Sequence, residues 1–345
     1  MRQAVLLEPG RIEVREVPIP APGPGEVLLR VRTALTCGTD LKTFRRGHPK
    51  LPFGPFGHEC AGDAAGLGAG VTWVREGDAV VPLPTAPCGA CPPCRAGREN
   101  LCERLFDEMV LGAYADYLLI RPRVAAVHLL PKPASRSYIE SAFLEPLACV
   151  VHGWRRLPEE ACGTLAVVGL GTIGLLFILM ARRHGARVLA VGRRADRLRL
   201  AAALGADAVV DAESADAAAA LASLTGGRGP TTVIECTGDP AVWEAGAAWA
   251  VKGGTVLLFS GLRGGTRVSY DAARLHYDEV TLTGAFHYRP DDAREAHRLL
   301  ATGEIAVRPL VTAVRPLDEI TGIFAALDRG QGIKYAVTPE DAAWI

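Results

Sequence analysis

A short apolar run, Thr164–Val168, passes straight into Gly169-Leu170-Gly171-Thr172-Ile173-Gly174 and then into an apolar helical stretch, Ile173–His184. No other feature narrows the fold of these 345 residues so far. Between a strand and a helix, the first glycine of such a loop permits a tight turn. The second lets backbone approach a pyrophosphate, and the third lets helix pack on strand. The helix N-terminus adds free N–H donors and a partial positive charge. Gly169, Gly171, Thr172, Ile173 and Gly174 are therefore read as dinucleotide contacts; a glycine turn that binds nothing is the plain alternative. Downstream, strands and helices alternate: strand Arg187–Val191, helix Arg194–Leu204, then strands Ala208–Val210, Thr231–Glu235, Thr255–Phe259 and Val280–Thr283. Alternation of this kind implies right-handed crossovers and a doubly wound parallel sheet.

The end of the second strand reads out the cofactor. A carboxylate there would bind the adenosine ribose hydroxyls. Here Val188–Val191 runs into Gly192-Arg193-Arg194, with Arg197 close behind. Guanidinium groups match a phosphate through paired donors. Gly192, Arg193, Arg194 and Arg197 are thus expected at the adenosine end, with NADP(H) favoured over NAD(H); solvated arginines, or arginines stacked on adenine, are the alternative. The Ala-rich stretch Asp211–Leu224 reads as a surface helix. From Pro290 onward, helices are expected at Ala293–Thr302 and Leu317–Asp328, and a strand at Ile333–Val337.

The first 150 or so residues have another rhythm. Strand candidates Val27–Thr33, Ala79–Leu83 and Ala115–Ile120 are separated by Pro/Gly-rich stretches such as Pro18–Gly25 and Pro52–Gly57, the pattern of an irregular, mostly β domain with long functional loops. In it lies Cys88-x2-Cys91-x2-Cys94-x7-Cys102. Four thiolates over so short a loop suit a closed, structural Zn2+ site; iron–sulfur ligation is the competing metal reading. Such clustering fits a reducing compartment, with the cytoplasm as the default address. The N-terminus lacks the apolar core of a secretory signal, and the longest apolar candidate, 164–181, is interrupted by three glycines. Thirty-eight basic residues cancel 38 acidic ones, which gives no electrostatic reason to expect nucleic acid or an anionic membrane as partner.

Three further pieces carry potential chemistry: Cys37-Gly38-Thr39-Asp40, Gly57-His58-Glu59 and Glu145-Pro146. Each alone is weak. Together, Cys, His and carboxylate would suit a catalytic Zn2+ with an open coordination position. With the cysteine quartet and the glycine loop they stand in the order found in the zinc-containing medium-chain dehydrogenase/reductase family, which the chain resembles over nearly its whole length. Within that family it looks most like the polyol, threonine and aminocyclitol dehydrogenases.

The resemblance implies a GroES-like catalytic domain at 1–150 holding both zinc sites and completed by 290–345, and a Rossmann domain at 151–289. It implies that Cys37, His58 and either Glu59 or Glu145 bind a catalytic zinc, and that Thr39 passes on the substrate's proton. The family often has a histidine five residues after the zinc cysteine; Lys42 stands there, so the outer relay falls to Lys42 or His48, each of which reads equally as a solvated loop residue. A small alcohol or ketone substrate, a site in the cleft between domains, and a homodimer or homotetramer are also implied. The runner-up is an NAD-dependent threonine- or sorbitol-type enzyme. A non-catalytic nucleotide-binding scaffold or redox sensor, and a zinc-ribbon nucleic-acid binder, are the readings from other classes. Phe44, His48, Phe56, Phe106 and His287 are pocket or core candidates. Cys60, Cys149, Cys162 and Cys236 are expected to be small buried apolar residues.

Overall fold

The computed structural model describes residues 1–48, 51–158 and 163–339. The chain divides into two compact units, Met1–Ala148 with Tyr288–Ile345, and Cys149–His287. Cys162 lies outside the described residues.

The second unit is built on a six-stranded sheet. In spatial order its strands are Ala208–Asp211, Arg187–Gly192, Thr164–Val168, Thr232–Glu235, Thr255–Leu258 and Thr281–Gly284. All neighbouring pairs are parallel. The strands are nearly unbroken apolar runs, and Leu165, Ala166, Val167, Val188, Leu189, Ala190, Val233 and Ile234 are fully buried, as expected for a sheet covered on both faces. Strand order reverses at Thr164–Val168 and Thr232–Glu235. In open α/β sheets, ligands bind beyond the carboxyl ends of the strands at such a point. The helix expected over Asp211–Leu224 is shorter than its alanine content implied. It runs Ala217–Leu224, because the Asp216 side chain accepts from the N–H groups of Ala218 and Ala219 and fixes the start there.

The first unit is antiparallel in its centre. Strand Val27–Leu35 pairs with Glu59–Leu67, Tyr117–Ile120 and Lys334–Thr338. The C-terminal segment thus adds a strand to a sheet begun by the N-terminal one. Its helix starts at Pro290, three residues before the expected Ala293, with proline in the first turn and Asp292 bonding back to Arg289 N. The core contains an aromatic cluster: Phe56 lies 4.9 Å from Tyr114 and 5.3 Å from Phe324, and Phe44 lies 5.6 Å from Phe324. Phe44 and Phe56 are therefore core residues and not pocket walls. Among the described residues, no helix is long and apolar enough to cross a membrane.

Candidate active site and metal centres

The register of two strands brings Cys37 and His58 together. Leu35 pairs with Glu59, so Cys37, just past the end of one strand, and His58, just before the start of the next, meet at the same edge. The ligand atoms of Cys37, His58 and Glu59 all lie within 4.8 Å of one another. Glu145, in the helix Leu144–Trp154, is buried and is not part of this group.

Cys37 caps the helix Gly38–Arg46, and its sulfur accepts from Thr39 N at 3.4 Å. A helix N-terminus favours a thiolate. Burial nevertheless pushes the Cys37 thiol up, with Glu59 adding to the rise. Burial also pushes the Glu59 carboxyl up, although Lys334 opposes this. For His58, burial alone would lower the imidazole, but Asp40 and Cys37 raise it well above its usual value. Its Nδ1 lies 3.2 Å from Asp40 Oδ1. The opposite carboxyl oxygen, Asp40 Oδ2, accepts from the Tyr114 hydroxyl at 2.8 Å. Glu59 is ion-paired with Lys334, both side chains being almost fully buried, and Lys334 Nζ also donates to Thr36 O at 2.8 Å. A thiol and a carboxyl driven toward their neutral forms beside an imidazole are a donor set that a divalent cation would reverse, by stabilising the anionic forms of both. The residues fit a zinc ion.

Four of the other cysteines form a second cluster. The sulfurs of Cys88, Cys91, Cys94 and Cys102 lie within 4.8 Å of one another, with Cys91 Sγ 3.4 Å from Cys94 Sγ and 3.8 Å from Cys102 Sγ. Zinc–thiolate bonds of about 2.3 Å in a tetrahedron place sulfurs about 3.8 Å apart, whereas a disulfide requires about 2.05 Å. Backbone N–H groups of Cys88 and Arg104 point at Cys102 Sγ, and that of Cys91 at Cys88 Sγ. Backbone N–H groups of Ala90 and Cys91 push the Cys88 thiol down to about 6. Phe106 packs against this cluster. Among the leftover cysteines, Cys60 is buried as expected; Cys149 and Cys236 are only partly so.

The glycine loop is shaped by what surrounds it. Gly169 has φ +97°, and a Cβ there would meet Thr237 and the Cys236 backbone at under 3 Å. A Cβ at Gly174 would lie 2.0 Å from Gly169 O. Gly171 differs: its backbone is extended, and the nearest atom to an added Cβ is an Arg197 guanidinium nitrogen at 4.0 Å. No side chain caps the helix Thr172–Arg183 that Gly171 opens. Open space above one glycine, with uncapped N–H groups of Thr172 and Ile173 at the same end, fits a pyrophosphate. At the end of strand Arg187–Gly192, Arg193 is exposed, while Arg194, the N-cap of the next helix, and Arg197 are half-buried.

Several site residues escaped the sequence reading. Asp40 stood in a quoted motif without a role, and Lys334 and Tyr114 gave no signal. Glu235, at the strand end beside the loop, is fully buried; its Oε1 accepts from Thr237 N, Thr237 Oγ1 and Gly238 N, bracing the turn against which Gly169 packs. Thr39 lies in the first turn of the Cys37-capped helix, and Lys42 and His48 are half-buried. His287 has an uncommon positive φ of 61°.

Residues 172–302 match the family model for zinc-binding dehydrogenases, and residues 23–132 that for the alcohol dehydrogenase GroES-like domain. A sorbitol dehydrogenase from Halalkalibacterium halodurans is 30% identical over 337 residues, 96% of this chain and 97% of its own. An L-threonine 3-dehydrogenase from Bacillus velezensis is 30% identical over 94% of this chain and 95% of its own. Among solved structures, a protein described as a zinc-binding dehydrogenase from Sinorhizobium meliloti, bound to NADP, superimposes with a TM-score of 0.89 at 33% identity, covering 98% of this chain and 99% of that one.

Proposed function

This chain belongs to the zinc-containing medium-chain dehydrogenase/reductase family, and on that premise we propose that it transfers a hydride between an alcohol, polyol or cyclitol carbon and NADP(H). The observation that carries the reading is the convergence of partly buried Cys37 with buried His58 and Glu59. When bound, zinc supplies Lewis acidity toward the alcohol oxygen, and the nicotinamide supplies the hydride acceptor.

The chain's own residues do the rest. Cys37, at a helix N-terminus, and His58, whose Nδ1 lies 3.2 Å from Asp40 Oδ1, hold the metal. Glu59 is balanced by Lys334 and serves as the exchangeable ligand. Glu145, on the helix Leu144–Trp154, is the second carboxylate of the proposal. Thr39 takes the substrate's proton, and Lys42, one turn further along the helix, or His48 passes it outward. The cysteine quartet holds a structural zinc. The glycine loop and uncapped helix end bind the pyrophosphate, and Arg193, Arg194 and Arg197 face the adenosine 2′-phosphate. NADP bound to the Sinorhizobium relative supports that preference. The sorbitol and threonine relatives support the second reading, an NAD-dependent enzyme of either type. A pure nucleotide scaffold has no use for a second, open ligand set. A cytoplasmic homodimer or homotetramer completes the proposal.

The test is metal content with turnover. Wild-type protein is expected to hold about two zinc ions per chain. Cys37→Ala is expected to hold about one, to lose turnover on a panel of sugar alcohols, cyclitols, threonine and secondary alcohols, and to keep NADP binding. Turnover retained by Cys37→Ala would contradict the assignment.

A further inference from the structure

Tyr114 is fully buried, and its ring alone accounts for its packing. Phe56 and Phe324 meet it edge-on, and a Cβ at Gly57 would strike its Cδ2 and Cε2 at 2.6 Å. Phenylalanine would fill this space equally well. The hydroxyl is therefore an addition to an apolar site, where a buried polar group needs a partner to be tolerated. Its partners are Leu35 O at 3.1 Å and Asp40 Oδ2 at 2.8 Å. One proton serves both, and the shorter contact is the one to a charged acceptor, which is the stronger kind.

The remaining Asp40 oxygen lies 3.2 Å from His58 Nδ1. Tyr114 is also coupled to His58 through the main chain. Gly112 N and Ala113 N donate to Gly57 O, and Tyr114 N donates to Phe56 O. The loop segment carrying the hydroxyl is thus tied to the turn carrying the imidazole. We infer that the Tyr114 hydroxyl is a positioning group for the metal ligand His58, acting through Asp40 in a three-member relay. Partners behind a ligating histidine fix its orientation, and their loss typically costs about 10–100-fold in metal affinity. Tyr114 stands one bond further out, so an effect near the lower end of that range, about tenfold, is expected. The inference rests on the reading that Cys37, His58 and Glu59 hold a metal.

The experiment is metal release from the zinc-loaded protein to a chromophoric chelator. Two phases are expected, one lost in Cys37→Ala and the other in Cys88→Ser, which assigns them. Tyr114→Phe keeps the ring and is expected to speed only the Cys37-dependent phase, by about tenfold. In the Co2+-substituted protein it is expected to shift the visible bands of that same centre. A final arm places Tyr114→Phe in an Asp40→Ala background, where it is expected to add nothing. An unchanged Cys37-dependent phase and cobalt spectrum in Tyr114→Phe would overturn the inference while leaving the metal reading intact. So would equal acceleration of both phases, which means general loosening, or a full tenfold effect that persists without Asp40. Absence of any Cys37-dependent phase in the wild type would overturn the metal reading itself, and this inference with it.

Discussion

Two glycines of the same loop should respond in opposite ways to one added methyl group. At Gly174 a Cβ would sit 2.0 Å from Gly169 O, a backbone atom that cannot swing aside. Gly174→Ala must push the helix Thr172–Arg183 off its strand. Inserting a methyl into a packed site costs about 1–3 kcal/mol, and a backbone obstacle puts this case at the upper end. That corresponds to a melting temperature lower by roughly 5–10 °C. Gly171 has φ −83° and ψ −173°, an extended conformation open to any residue, and its added Cβ meets no protein atom closer than 4.0 Å. Gly171→Ala should therefore leave the cofactor-free protein as stable as the wild type, or more stable by about 0.4–1 kcal/mol through a restricted unfolded chain. Its methyl would occupy the space assigned to the pyrophosphate, so NADP(H) affinity should fall by tenfold or more, about 1.4 kcal/mol. Thermal melting of the cofactor-free proteins, with calorimetric titration of NADPH, separates the two effects. Wild-type NADPH affinity in Gly171→Ala would refute the placement of the phosphates, and equal destabilisation by both substitutions would refute the steric argument.

Other outcomes follow from the same geometry. Arg193→Ala with Arg194→Ala should lower the NADP-over-NAD ratio of kcat/KM by about tenfold or more, since charge-assisted phosphate contacts are lost; an unchanged ratio would assign these arginines to solvent. Cys88→Ser should remove one zinc per chain and open the segment around Arg95 and Arg98 to trypsin, as a closed thiolate site also stabilises its loop; intact zinc and unchanged digestion would count against the quartet. His128 is buried, its Nδ1 is 2.5 Å from Thr85 O, and burial pushes it down to about 4. Between about pH 6.5 and pH 4 the unfolded chain takes up a proton that the folded one refuses, so stability contributed by this group falls as pH falls, by up to about 3 kcal/mol. In His128→Phe, urea midpoints should decline less steeply across that window than in the wild type; identical slopes would argue against a buried neutral imidazole.

The glycine loop and the cysteine quartet were legible because each is a local pattern whose spacing carries its own geometry. Strand–helix alternation after Thr164 likewise gave the parallel sheet, since runs such as Leu165–Val168 are apolar on both faces. Local composition misled where one side chain decided the outcome, as when Asp216 caps a helix whose start alanine content had placed six residues earlier. Phe44 and Phe56 could be read as pocket or core, because apolar character is common to both. The meeting of Cys37 with His58 depends on the pairing of Leu35 with Glu59, a register that spacing alone does not express. Asp40, Tyr114 and Lys334 were out of reach for a simpler reason: a buried charge or hydroxyl is written with the same letter as a solvated one.

Lys334 holds Glu59 and donates to Thr36, 298 residues away in sequence. A nascent chain emerging from the ribosome would expose Cys37, His58 and Glu59 early, and the counter-ion of Glu59 only after nearly everything else had been synthesised. The continuous stretch Cys149–His287, by contrast, contains every strand of its own sheet and needs no later partner to form it. Maturation of the half that holds Glu59 is therefore a late event, closed by the arrival of one lysine. A chain stopped short of that lysine would keep every proposed zinc ligand and still strand an acidic side chain in the interior.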